Sequence, residues 1–301
     1  MTVTAPAPPR PRSGQPPRPR KRYLRPEALL GLGFVLPVFL LFLVFRFGPA
    51  IVGVLLSFFE YTLGDSPRFT GFDNFVRMFD DPLFWQALKV TVIFTVLYLP
   101  LSIATSLGLA LLVRRSFRGS KLFRSVFFLP VITSLVLAAT IFTWLFSSSG
   151  PLGKLIGDSW LASTTLVIPA LVIVSVWSRF GYGMLIILAR LQDVPRELEE
   201  AALVDGAGPW ARFRHVVLPQ LRPALFFLAV IETTTSFQVF DLVYVMTGGG
   251  PARSSYTLVM ALYDQGFQYF DLGYASALGV ALFVLTLFVA LIQRVLMGRS
   301  K

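Results

Sequence analysis

Six long apolar runs dominate this chain, at roughly 29–59, 84–113, 121–146, 164–190, 222–246 and 273–297. A helix needs about 20 mostly apolar residues to cross the hydrocarbon core of a bilayer, so each run predicts one spanning helix. Inside lipid every backbone N–H and C=O must find a partner within the protein, which leaves helices or closed barrels. A barrel needs strands that alternate apolar and polar residues, and these runs are continuous. The expected fold is all-α and integral to the membrane, with six transmembrane helices. Composition agrees, because 55% of residues are hydrophobic and 14% charged, a balance that soluble domains rarely show.

Lys and Arg set the orientation, since they accumulate on the cytoplasmic side of a membrane protein. Seven precede the first run, from Arg10 to Arg25. Arg114, Arg115, Arg118, Lys121 and Arg124 join the second run to the third, Arg190, Arg196, Arg212, Arg214 and Arg222 the fourth to the fifth, and Arg294, Arg299 and Lys301 close the chain. The alternate connections carry only Arg68 and Arg77, then Lys154, then Arg253. Both termini are therefore expected in the cytoplasm. The net charge of +11 reads as this bias, with membrane lipid as the partner and no nucleic acid.

Residues 1–26 form a basic, Pro-rich segment that cannot build a core, and a disordered cytoplasmic tail is expected there. The transmembrane domain then covers 27–301, interrupted by a hydrophilic loop at about 191–221. The first run is too long for the apolar part of a signal peptide and reads as a retained anchor.

Enzyme chemistry finds little footing. Cysteine is absent and His215 is the only histidine, so neither a metal cluster nor a catalytic residue is expected. No GxxxxGK[ST] phosphate loop occurs. The stretch "GPLGKL" around Lys154 has the wrong spacing and falls on the outer side.

The hydrophilic loop reads as two short helices. Pro195 suits a first helical position, and Glu197, Glu199 and Glu200 suit the positive end of the macrodipole. Gly206 can take the left-handed conformation that ends a helix. Pro209 then reopens one, with Trp210, Phe213 and Val217 on one stripe, and Pro219 and Pro223 bound the start of the next span.

The spacing Glu200-Ala201-Ala202, three residues, Gly206, nine residues, Val216, one residue, Leu218-Pro219 resembles the EAA loop of binding-protein-dependent ABC transporter permeases. Val216 stands where Ile is usual. "YVMTGGGP" (Tyr244 to Pro251) and "LYDQGFQYFDLGYASAL" (Leu262 to Leu278) look like the carbohydrate-uptake branch related to maltose permease subunits, whereas "RFGP" at 46–49 departs from its usual Tyr-Pro. The resemblance implies that Glu200, Ala201, Ala202, Asp205 and Gly206 couple to a cytoplasmic ATPase. It also implies two ATPase subunits that hold ATP and Mg, so no cofactor is bound by this chain. A homologous second permease subunit, an extracytoplasmic solute-binding protein and a multi-pass location in a bacterial or archaeal plasma (inner) membrane follow likewise.

Polar residues inside the runs mark a candidate pathway, because an ionisable group at mid-bilayer costs about 2.5–3.5 kcal/mol and turns toward protein or water. Arg179 and Glu232 lie at similar depth and are expected to pair or to line one cavity. Thr233, Thr234, Thr235, Ser236, Gln238 and Asp241 extend a polar seam suited to a hydroxyl-rich solute. Trp177 and Tyr182 offer flat faces to a sugar ring, against the alternative of packing between helices. Arg46 either snorkels, pairs or approaches substrate. Glycerol-3-phosphate or a related polyol derivative is the competing cargo. An ion-coupled carrier, with Glu232 or Asp241 carrying protons, is the competing mechanism.

Overall fold

Proline positions explain most of the local departures from six straight rods. The structure is a computed structural model that describes residues 26–114, 119–156 and 159–297. The expected disordered tail lies outside these residues, apart from Pro26. Among the described residues six helical stretches are long and apolar enough to cross a membrane: Gly33–Leu56, Pro82–Leu112, Leu135–Leu155, Val167–Gln192, Pro209–Phe237 and Leu272–Leu296.

The chain divides into two units, 1–50 and 51–301. The first holds α1 (Pro26–Phe42) and a π-helical turn, Leu43–Phe47, which contains Arg46; α2 (Gly48–Leu56) begins there. The wide turn ends two residues before Pro49. A proline ring clashes with the carbonyl four residues back, and a π turn opens the helix where that clash would fall.

The second unit opens with the rest of α2, followed by a small antiparallel hairpin, β1 (Phe59–Glu60) and β2 (Arg68–Phe69), with Phe59 opposite Phe69. It continues through α3 (Asp73–Asp80), α4 (Pro82–Leu112), α5 (Ser120–Ile132), α6 (Leu135–Phe146), α7 (Pro151–Ile156) and α8 (Val167–Gln192). The remaining helices are α9 (Arg196–Val204), α10 (Pro209–Arg212), α11 (Leu218–Phe237), α12 (Asp241–Met246), α13 (Leu258–Tyr263) and α14 (Leu272–Met297).

Helix α8 is the centre of this unit and packs against α4, α5 and α11. Its glycines permit that approach. A Cβ on Gly181 would lie 2.2 Å from the Phe127 carbonyl oxygen, and one on Gly183 would lie 2.4 Å from the Ser106 hydroxyl. Apolar clusters surround α8 along its length. Val90, Phe94, Leu171 and Val243 belong to one, and Ala110, Met184, Ile187 and Leu221 to another.

At one end, the connections are laced together. Asn74 donates to the carbonyls of Ser57 and Phe59 at 3.0 and 2.8 Å. Arg77 meets Asp271 at 2.7 Å, and the Tyr274 hydroxyl donates to Asp81 at 2.9 Å. At the opposite end Arg190 donates from Nε to the Gln220 carbonyl at 3.1 Å.

Three expected boundaries are corrected. The run at 121–146 is not one helix, because α5 stops at Ile132 and α6 begins at Leu135. Pro130 lacks an N–H for the ladder, and the helix continues only two residues past it before Thr133 takes an extended conformation. The run at 222–246 is also interrupted, since α11 ends at Phe237 and α12 begins at Asp241. Nor do Pro219 and Pro223 bound a separate loop helix. Pro209–Phe237 is continuous through a π turn at Phe213–Val217, which again ends two residues before a proline. A smaller shift places Pro195 just outside α9 as its N-cap.

Candidate functional site

The break between α11 and α12 lies against a cavity of about 220 Å³, lined by residues of α4, α6, α8, α11, the break itself and α12. The sequence makes this break locally. Thr234 and Ser236 hydrogen-bond to carbonyls of their own helix, and such side chains compete with the helical ladder. Gln238 then closes a tight turn onto the Thr235 carbonyl at 3.2 Å. Irregular backbone at membrane depth is tolerated where it borders a cavity.

Arg179, Thr235, Gln238 and Asp241 line the cavity together with Tyr98, Ser175 and Ser178. Glu232 stands behind the wall, fully buried. Its Oε1 accepts from Arg179 Nη2 at 3.1 Å, and its Oε2 accepts from Arg179 Nε at 3.5 Å. The Tyr98 hydroxyl also donates to Glu232 Oε2. Three donors therefore surround one carboxylate, which is what a buried charge requires.

The expected juxtaposition of Arg179 and Glu232 is present as an ion pair. Tyr98 was not singled out from the sequence. An aromatic in an apolar run reads as packing, and only its polar tip, within a span, could have marked it. Thr233 faces another way, accepting a 2.6 Å bond from Gln293 of α14. Trp177 and Tyr182 do not line this cavity. Trp177 packs edge-on against Phe142 at 5.0 Å, and Tyr182 lies beneath Arg179, whose guanidinium carbon is 4.9 Å from the ring centroid.

Beyond the break, Thr247 to Ser255 is irregular but closely tied. Ser255 donates to the Gly250 carbonyl and shares a 2.8 Å bond with Thr247. Tyr256 donates to Asp264 at 2.7 Å. Burial, and then that bond to Asp264, push the Tyr256 hydroxyl well above the ordinary tyrosine range.

The hydrophilic loop lies at the other end of the unit. None of the residues of α9 is buried; Glu200, Ala201, Asp205 and Gly206 are exposed and Ala202 is half-buried. The helix ends with Gly206 N–H bonded to the Leu203 carbonyl at 3.0 Å and Ala207 N–H to the Ala202 carbonyl at 2.9 Å. This is the Schellman arrangement, and Gly206 has the left-handed φ of +80° that it demands. Trp210 is 68% exposed and meets Phe213 in a tilted ring contact at 5.6 Å, while Val217 is buried. Among the described residues, no group of His, Cys, Asp or Glu is placed to hold a metal ion.

The six helices long and apolar enough to cross a membrane, with a cavity bordered by Arg179, Gln238 and Asp241 among them, place the chain among multi-pass membrane proteins. The chain belongs to the family described as binding-protein-dependent transport system inner membrane component, whose pattern matches residues 101–301. It is 36% identical over 270 residues to the sulfoquinovosyl glycerol transport system permease protein SmoG of Agrobacterium fabrum, covering 87% of this chain and 88% of that one. It is 34% identical over 270 residues to the sn-glycerol-3-phosphate transport system permease protein UgpA of Yersinia pestis, covering 86% and 90%. Among solved structures, a bacterial alginate ABC transporter in complex with alginate pentasaccharide-bound periplasmic protein matches with a TM-score of 0.78 and 25% identity. That match covers 91% of this chain and 95% of the other. The chain is a permease subunit of the ABC importer type.

Proposed function

We propose that this permease carries a sugar across a bacterial or archaeal plasma (inner) membrane, with both termini and the loop at 191–221 in the cytoplasm. An extracytoplasmic solute-binding protein delivers the sugar. A homologous permease completes the pathway, and two ATPase subunits docked on the loop supply the sites for ATP and Mg. Nucleotide-driven closure of the ATPases moves α9 as a lever and switches the spans between inward-open and outward-open.

The observation that carries this reading is α9 itself. A charged helix with no buried residue exposes Leu198 at 42%, Leu203 at 57% and Val204 at 87%, beside Trp210. Exposed apolar side chains on an otherwise hydrophilic helix suit contact with another protein. It is the segment that carries the Glu200-Ala201-Ala202…Gly206 spacing, and it adjoins connections rich in Lys and Arg. On the pathway side, the hydroxyls of Ser175, Ser178 and Thr235 and the amide of Gln238 suit a hydroxyl-rich solute, which needs both donors and acceptors once water is removed. The similarity to a permease named for glycerol 3-phosphate supports a second cargo, that compound or a related polyol derivative.

Uptake into proteoliposomes holding the whole assembly tests the reading. Uptake is expected to need ATP and the binding protein, and to survive collapse of the proton gradient. Uptake that continues without an ATPase subunit, or stops on gradient collapse while ATP is maintained, overturns it.

A further inference from the structure

Helix α9 has a slender hold on the bundle. It buries none of its own residues, and the chain leads from it only to α8 on one side and to α10 and α11 on the other. Among the described residues, one hydrogen-bonded side-chain link ties α9 to the end of a different spanning helix. The Arg114 guanidinium forks onto the Glu199 carboxylate, with Nη1 to Oε2 at 3.2 Å and Nη2 bonded to Oε1. Among the described residues this is the only ion pair that α9 makes.

Arg114 stands two residues beyond the last turn of α4, whose backbone end is also held by Arg124, donating to the Val113 carbonyl at 2.9 Å. Helix α4 is the span that brings Phe94 and Tyr98 to the cavity wall. The two paired side chains are 26% and 25% exposed, so water and salt screen them less than a fully solvated pair. A forked arginine–carboxylate contact also fixes direction as well as distance, which a single point contact does not.

We infer that the Arg114–Glu199 pair is a strut that carries displacement of α9 directly into α4. This rests on the importer reading above. The covalent chain links α9 to the α8 and α11 walls of the cavity, and the strut adds the α4 wall. Arg114 and Glu199 are positioning residues in this scheme, since neither touches cargo or nucleotide.

The chain has no cysteine, so paired spin labels can be placed cleanly. Leu112→Cys and Gln192→Cys, at the exposed ends of α4 and α8, report the distance between the loop-side ends of these two helices. The intact assembly is measured with and without ATP–vanadate trapping. The distance is expected to shift on trapping, and Arg114→Gln or Glu199→Gln is expected to lose that shift while the ATPase stays bound. The exchanged pair Arg114→Glu/Glu199→Arg is expected to restore it. The strut is overturned if either single variant keeps the shift, if the exchanged pair does not restore it, or if the single variants simply release the ATPase. It also falls if wild type takes up solute with no movement at these positions. By contrast, a wild-type assembly that holds no ATPase and does not respond to nucleotide would sink the importer reading itself.

Discussion

Arg179 on the fourth span and Glu232 on the fifth meet at 3.1 Å, with the Glu232 side chain 1% exposed and the Arg179 side chain 29% exposed. Breaking a buried pair by removing one partner leaves an uncompensated charge, whereas replacing both with apolar groups is far less costly. Glu232→Ala is therefore expected to cost about 3–5 kcal/mol. The double change Arg179→Met/Glu232→Leu is expected to cost less than the single one. Thermal unfolding of the purified protein in detergent compares the two.

Glu232→Gln keeps the shape and one acceptor for Arg179 but removes the charge. Uptake by the assembly is expected to fall much more than membrane abundance. An unchanged uptake rate would remove Glu232 from the mechanism.

Tyr98→Phe deletes one of the donors to Glu232 and leaves the stacking on Phe94, at 5.7 Å and 9°, in place. A hydrogen bond to a charged group contributes about 1.5–3 kcal/mol, and a fall in stability of that order is expected. The lowered Tm should vanish in a background that already lacks Glu232.

At Gly206 the left-handed backbone, not crowding, forbids a side chain, because no atom lies within 4 Å of an added Cβ. A β-branched residue is strained there, at a cost on the order of 1–2 kcal/mol, while Asn visits this region readily. Gly206→Val should leave sugar capture by the binding protein intact and uncouple ATP hydrolysis from uptake. Gly206→Asn should retain most coupling. The ratio of solute moved to ATP hydrolysed distinguishes them.

Gly181 faces the opposite constraint, since its Cβ would meet backbone oxygen of Phe127 at 2.2 Å. Backbone cannot swing aside as a side chain does. Gly181→Leu is expected to cost about 1–3 kcal/mol or more through overpacking and to lower the amount of folded protein recovered from membranes.

Hydropathy located the spans because burial in lipid acts on every residue of a run, and Arg179 with Glu232 stood out because charge at that depth demands a partner. The Gly206 turn was legible for a similar reason, since only a few residues tolerate its backbone. The interruptions at Thr133–Ser134 and Gln238–Phe240 were not, because each arises from one proline or a few hydroxyls inside an otherwise apolar stretch. Pro219 misled in the other direction: two residues before it the chain finishes a wide turn that lets the helix continue. Trp177 and Tyr182 could not be assigned from sequence, since a ring that packs on Phe142 and a ring that meets a sugar have the same composition.

The π turn at Phe213–Val217 leaves a weak point in an otherwise continuous rod that runs from Pro209 to Phe237. Helices bend first at such turns and at prolines, and here the two lie together. Angular movement between Pro209–Arg212 and α11 would concentrate at this joint, and stiffening it would make the two segments turn together.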